Sequence, residues 1–159
     1  MLESNDSIDR VIGMKFLISL TLLLTPFVST FAVTENITIT GNDTMQFDLK
    51  TFEVKSGEKI TVTFKNIGKV PKIAMGHNLV FLKKGISAIA FGQKALGAGA
   101  NANNALPDSV KDDTIAATKL LGPDEKETIS FTAPEPGNYE YVCTFPGHFA
   151  MMRGVMKVK

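Results

Sequence analysis

Lys59-Ile60-Thr61-Val62-Thr63-Phe64-Lys65 alternates polar and apolar side chains without a break. Successive side chains of a β-strand point to opposite faces, so this stretch reads as a strand with one face in a core and the other in water. The same alternation returns in Thr128-Ile129-Ser130-Phe131-Thr132 and in Met156-Lys157-Val158-Lys159. Further strands are expected near residues 36–40, 45–49, 52–55, 78–83, 114–121 and 137–143. Turn signals separate them: Lys55-Ser56-Gly57-Glu58, Gly122-Pro123-Asp124 and Pro134-Glu135-Pro136-Gly137. About eight short strands with regular turns predict an all-β sandwich. Residues 86–98 break the pattern, with Ile86, Ile89, Ala90 and Leu96 near helical spacing. They predict one short helix lying on the sandwich. The small-residue run 97–104 that follows reads as a surface loop.

The chain of 159 residues is one domain's worth and long enough to bury a core. Its 44% apolar and 21% charged residues are those of a globular protein rather than a disordered one. A net charge of +1 gives no electrostatic case for nucleic acid or for an anionic membrane surface.

The first 32 residues read separately. Lys15 precedes the apolar run Phe16–Leu24, then come Thr25-Pro26 and the small-residue stretch Ser29-Thr30-Phe31-Ala32. This is the order of a secretory signal peptide, with cleavage expected after Ala32 and Met14 as a possible true start. An uncleaved anchor is the competing reading, because Phe16–Val33 nearly reaches the roughly 20 residues that span a bilayer. Pro26 and the short apolar heart favour cleavage. The mature domain is then 33–159, periplasmic or otherwise exported. Asn36-Ile37-Thr38 and Asn42-Asp43-Thr44 are formal glycosylation sequons and carry no weight here.

Cys143 is the single cysteine, so no intramolecular disulfide can form. A free thiol in an oxidising compartment is a liability unless something occupies it, and a metal would do so. The two histidines cap any metal chemistry. Metal-competent side chains gather in two places: Met75-Gly76-His77-Asn78, entering a strand, and Tyr141 to Met152, leaving one. Cys143 is in phase with Tyr139 and Tyr141, so all three are expected to face the core. Cys143, His148 five residues on and Met152 four after that put three donors around one small loop. Met151 is the alternative sulfur donor. A thiolate, two imidazoles and a weak axial thioether select copper by softness and geometry, whereas a thioether is a poor fourth ligand for zinc.

Met75-Gly76-His77-Asn78 together with Cys143-Thr144-Phe145-Pro146-Gly147-His148 and Met152 resembles the azurin family of blue-copper proteins, the cupredoxins. The likeness covers about residues 36–159, and Val70-Pro71-Lys72 and Lys119-Leu120-Leu121-Gly122 extend it in the same order. It implies a cupredoxin-like Greek-key sandwich holding one type 1 copper ion that cycles between Cu(I) and Cu(II). His77, Cys143 and His148 are the implied ligands, Met152 the axial sulfur, and the Gly76 carbonyl faces the metal from the other side. Asn78 is implied to tie the two ligand segments through Thr144, with the N–H groups of Asn78 and Phe145 near the thiolate.

The implied function is single-electron carriage between exported redox proteins such as cytochromes or copper enzymes. Docking is expected at an apolar collar around an exposed His148, formed by Val70, Ala74, Met75, Phe145, Pro146, Phe149, Ala150 and Met151. Lys69, Lys72 and Arg153 would rim it. A copper carrier or store without redox duty is the alternative. An enzyme is not expected, since Cys143 and His148 lack a third orienting residue and no histidines remain for a second copper. Two departures from the family stand out. The cysteine pair of typical azurins is missing, and Asn66 stands where many of them carry a non-ligand histidine.

Overall fold

The protein's structure, a computed structural model, describes residues 34–159. The leader read over residues 1–32 lies outside the described residues. In chain order the elements are β1 (Thr34–Asn42), β2 (Gln46–Phe47), β3 (Thr51–Val54), β4 (Lys59–Asn66), α1 (Lys72–Met75), β5 (Val80–Leu82), α2 (Ala88–Gly97), β6 (Thr114–Ala117), β7 (Lys126–Thr132), β8 (Gly137–Val142) and β9 (Arg153–Val158). Short 3-10 turns occupy Asp108–Asp113 and His148–Ala150. The strands form two sheets, ordered β2-β1-β4-β7 and β3-β9-β8-β5-β6. β1 runs parallel to β4, and β3 parallel to β9.

The alternation in β4 does what the sequence predicts. Ile60, Val62 and Phe64 are fully buried, while Thr61 and Thr63 face outward and meet Ser130 and Thr128 of β7 at 3.1 and 2.9 Å. Between the sheets lie Ile39, Phe47, Phe64, Phe81, Tyr141 and Met156. The Phe81 ring packs against Phe131 and Tyr141 with centroids 5.0 and 5.3 Å apart, distances at which aromatic pairs attract beyond simple area burial. Tyr141 is accommodated by Gly154 directly opposite on β9, where a Cβ would lie 2.3 Å from the ring.

β5 departs from the alternating pattern because Val80, Phe81 and Leu82 are all buried. Its outer face is covered by α2, whose Ala88, Phe91 and Ala95 pack on Val80, Leu82 and Val142. The helix therefore exists where the sequence predicts it, but it presents a different face. Ile89 and Leu96, expected to anchor it, are 40% and 46% exposed. The buried stripe is Ala88, Phe91, Gly92 and Ala95, small residues with one ring that bring the helix axis close to the sheet. The sequence also reads 114–121 as one strand, yet pairing as a strand stops at Ala117. There Leu79 N–H turns to the Thr118 hydroxyl at 2.9 Å, and Thr118 N–H bonds the Leu79 carbonyl at 3.0 Å. The single helical turn α1 was not anticipated. It follows Pro71, whose carbonyl accepts from Ala74 and Met75 N–H at 2.9 and 3.0 Å.

Candidate metal centre

Three neighbouring strands carry the candidate donors to one end of the five-stranded sheet. His77 precedes β5 and exchanges both backbone bonds with Leu121, at 3.0 and 2.7 Å. Val80 pairs with Val142, so Cys143 leaves β8 beside the start of β5. Val142 in turn pairs with Arg153, which places Met152 at the head of β9, and Cys143 N–H bonds the Met152 carbonyl at 2.9 Å. The separation of 66 positions between His77 and Cys143 thus closes up through sheet pairing.

The loop from Cys143 to Met152 is shaped by its own sequence. Pro146 and Gly147 form the corner, Gly147 has φ +84°, and His148 N–H closes the turn on the Phe145 carbonyl at 3.0 Å. Pro then Gly with positive φ is the chemistry of a type II turn. The His148 carbonyl then accepts from Met151 and Met152 N–H at 3.0 and 2.8 Å.

His77 Nδ1 and His148 Nδ1 lie 3.2 Å apart, and Cys143 Sγ is 4.0 and 3.6 Å from them. Donors at bond lengths of about 2.0–2.3 Å around one ion in a trigonal plane would stand about 3.5–3.8 Å apart, so the observed triangle fits a single metal. All three residues are buried, His148 being only 3% exposed. That corrects the expectation of an exposed His148, since the Phe145 ring lies tilted against it with centroids 4.6 Å apart and the His77 ring lies on it at 5.0 Å. Met152 is fully buried and Met151 is 55% exposed. The Met152 methyl rests against Gly41 of β1, where a Cβ would come within 2.6 Å of it. Gly76 is packed as closely, for a Cβ there would lie 2.8 Å from the Lys72 carbonyl oxygen.

Burial sets the protonation of the donors. Loss of water pushes the Cys143 thiol up to about 12, against the partial relief of the Asn78 and Phe145 N–H groups. His148 is pushed down to about 4, by burial first and His77 second. His77 is also lowered by burial, with the Asn42 carbonyl and Asp43 acting in the opposite sense. The His77 Nε2 atom is buried and has no hydrogen-bond partner. Both imidazoles are accordingly neutral near pH 7, with a lone pair for a metal, while the thiol must lose its proton to the incoming cation.

The supporting contacts implied by the resemblance are present. Asn78 Nδ2 donates to the Thr144 hydroxyl and Asn78 Oδ1 accepts from Thr144 N–H, both at 2.8 Å. Such bonds would orient the candidate ligands on either side. The fully buried Asn66 donates to the Leu121 carbonyl at 3.1 Å and accepts from Gly68 N–H at 2.8 Å. Because His77 bonds the same Leu121 carbonyl, Asn66 braces the His77 segment. Sequence reasoning missed Gly41 and Thr118, and it placed Leu121 in the resemblance without giving it a role. The one hint was the turn-prone Gly41-Asn42-Asp43, whose Asn42 side chain caps Thr44 and whose Asp43 accepts from Lys69 N–H at 2.7 Å.

A family model of copper binding proteins of the plastocyanin/azurin family matches residues 33–159. Azurin-2 of Alcaligenes xylosoxydans xylosoxydans is 41% identical over 128 residues, spanning 76% of this chain and 95% of that protein. Azurin of Achromobacter denitrificans is 42% identical over 127 residues, with 76% and 82% covered. Among solved structures, dithionite-reduced auracyanin from the photosynthetic bacterium Roseiflexus castenholzii superposes with a TM-score of 0.68 at 41% identity. The match covers 81% of this chain and 99% of that one.

Proposed function

Because the chain belongs to the plastocyanin/azurin family of copper-binding proteins, we propose that His77, Cys143, His148 and Met152 are its copper ligands, with the Gly76 carbonyl facing the metal. The protein is an azurin-like blue-copper electron carrier. When bound, the copper supplies a one-electron couple between Cu(I) and Cu(II). The chain's own residues supply the rest. Cys143 gives up its proton on metal uptake, the two histidines are neutral in advance, and Asn78 with Thr144 holds the two ligand segments in register. A donor set fixed from both sides changes little when the charge on it changes, which is what rapid electron exchange requires.

The observation that carries this reading is the buried triangle of His77, Cys143 and His148, with every donor atom within 4.8 Å of the others. A carrier that hands copper on needs ligands a recipient can reach, and burial of all three speaks against it. Electrons would leave by way of His148. Around it Val70, Met75, Pro146 and Phe149 are half-buried and Ala74, Ala150 and Met151 exposed, while Phe145 is buried. Ile67 and Ile73, absent from the collar read in the sequence, add exposed apolar surface on the segments leading to His77. Redox proteins dock there in small, brief encounters. Lys69, Lys72 and Arg153 would steer partners with acidic faces, although Lys72 is shared with Glu125 at 3.6 Å. Export rests on the leader sequence; among the described residues no helix is long and apolar enough to cross a membrane.

The test is the visible absorption and electron paramagnetic resonance spectrum of the Cu(II)-loaded protein, beside Cys143→Ser. An intense orange-red absorption with narrow hyperfine splitting, lost entirely in the variant, is the expected result. A pale wild-type solution with an ordinary copper spectrum would exclude Cys143 as a ligand and redirect the question to metal carriage.

A further inference from the structure

Helix α2 carries a glycine in the middle of its buried face, where alanine would make a better helix. The reason lies across the interface. A Cβ at Gly92 would stand 2.2 Å from Cγ, 2.3 Å from Cβ and 2.7 Å from Cδ1 of Phe149. Cγ and Cδ1 could swing away with a change of rotamer, but Cβ is fixed by the backbone, so the backbone at Phe149 would have to move. Phe149 directly follows His148, whose carbonyl holds Met151 and Met152 N–H. The helix is itself anchored. Ala88 N–H is bonded to Glu140 Oε2 of β8 at 2.9 Å, and Lys94 is paired with Asp113 at 2.6 Å. Phe91 and Ala95 are packed onto Val80, Leu82 and Val142.

We propose that α2 positions the metal-binding loop: Phe149 sits in a notch that Gly92 leaves in the helix, and this seat sets where His148 and Met152 present their donors. Gly92 and Phe149 are therefore positioning residues for the redox centre, contributed by an element that holds no candidate ligand. The seat is separate from the contact at β1, where Gly41 receives the Met152 methyl. Its effect on copper rests on the ligand assignment proposed above; its effect on the metal-free loop does not.

The experiment compares wild type, Gly92→Ala, Phe149→Gly and the double variant. In the metal-free protein it reads the nuclear magnetic resonance signals of the His148 ring and the urea unfolding midpoint. In the Cu(II) protein it reads the visible band, the hyperfine splitting and the reduction potential. Gly92→Ala should move the His148 ring signals and shift the copper spectrum and potential. It should also lower the folded-to-unfolded ratio about tenfold or more through overpacking, although alanine is the better helix former. In the Phe149→Gly background the same alanine should leave the ring signals and copper spectrum unmoved and raise stability. Should Gly92→Ala alone not fold, folding of the double variant supports the seat, and its failure overturns it. Unmoved His148 signals in Gly92→Ala, or equal shifts in both backgrounds, also overturn it. If the wild type takes no blue colour, the ligand assignment falls and the metal-free arm alone decides the seat.

Discussion

The two sheets of the sandwich are built from similar strands but covered differently. The four-stranded sheet keeps a wet outer face, with the hydroxyls of Thr61 and Thr63 paired across to Ser130 and Thr128. The five-stranded sheet is dry on both faces at β5 and at the end of β8, because α2 lies outside it. All the candidate ligands hang from this second sheet. A strand packed from both sides has little room to shift, so the donor atoms at its ends are placed before any metal arrives. The wet sheet has the complementary duty of closing the core.

That contrast is breakable. The largest effect should come from the dry outer face: Leu82→Ala removes a fully buried side chain packed under α2 and should cost about 2–5 kcal/mol. Thr63→Ala on the wet face should stay within about 0.5 kcal/mol. Chemical unfolding of the metal-free proteins measures both, and equal losses would erase the distinction between the sheets. Next in size is Asn78→Leu, which leaves the buried Thr144 N–H without its partner. A loss of about 1–3 kcal/mol is expected, together with a broadened copper resonance. A sharp, unchanged spectrum would mean that the link between the ligand segments is dispensable.

Acid should loosen the metal-free site further. His148 titrates at about 4 when folded against 6.5 when free, so between those values the unfolded chain binds the proton more readily. Stability from this group is complete above pH 6.5 and declines as pH falls towards 4. The slope is at most about 1.4 kcal/mol per pH unit for one proton. His77 is shifted in the same direction and adds to the decline. Unfolding midpoints from pH 7 to 4 in the metal-free protein, compared with the same series for His148→Gln, read the effect. Parallel curves would remove His148 as its source. The smallest effect is a predicted flatness: Asn66 cannot titrate, so the reduction potential should change little across neutral pH. Voltammetry showing a steep dependence traceable to a residue other than the ligands would overturn that.

Much of this was legible in the sequence because it depends on periodicity and spacing. Period-two alternation located β4, β7 and β9, and the helix fell within 86–98 as α2 (Ala88–Gly97). The Pro146-Gly147 corner fixed the shape of the ligand loop locally. The helix presents a different face from the one expected because the spacing of Ile86, Ile89, Ala90 and Leu96 points to the larger residues, whereas close approach to the sheet requires Ala88, Gly92 and Ala95. The expectation of an exposed His148 follows from the need for one metal edge near the surface; in the fold the Phe145 and His77 rings cover it.

The chain by itself determined which atoms can bind a metal and in what loop, since one cysteine, two histidines and their local turn are fixed by covalent order. Only the tertiary structure decided that Met152 rather than Met151 is turned inward, and how far each donor is removed from water. It also decided which glycines make room for the loop. Those outcomes depend on distant segments, β1 at Gly41 and α2 at Gly92, meeting the loop at van der Waals distance, and no local pattern encodes who the neighbour will be.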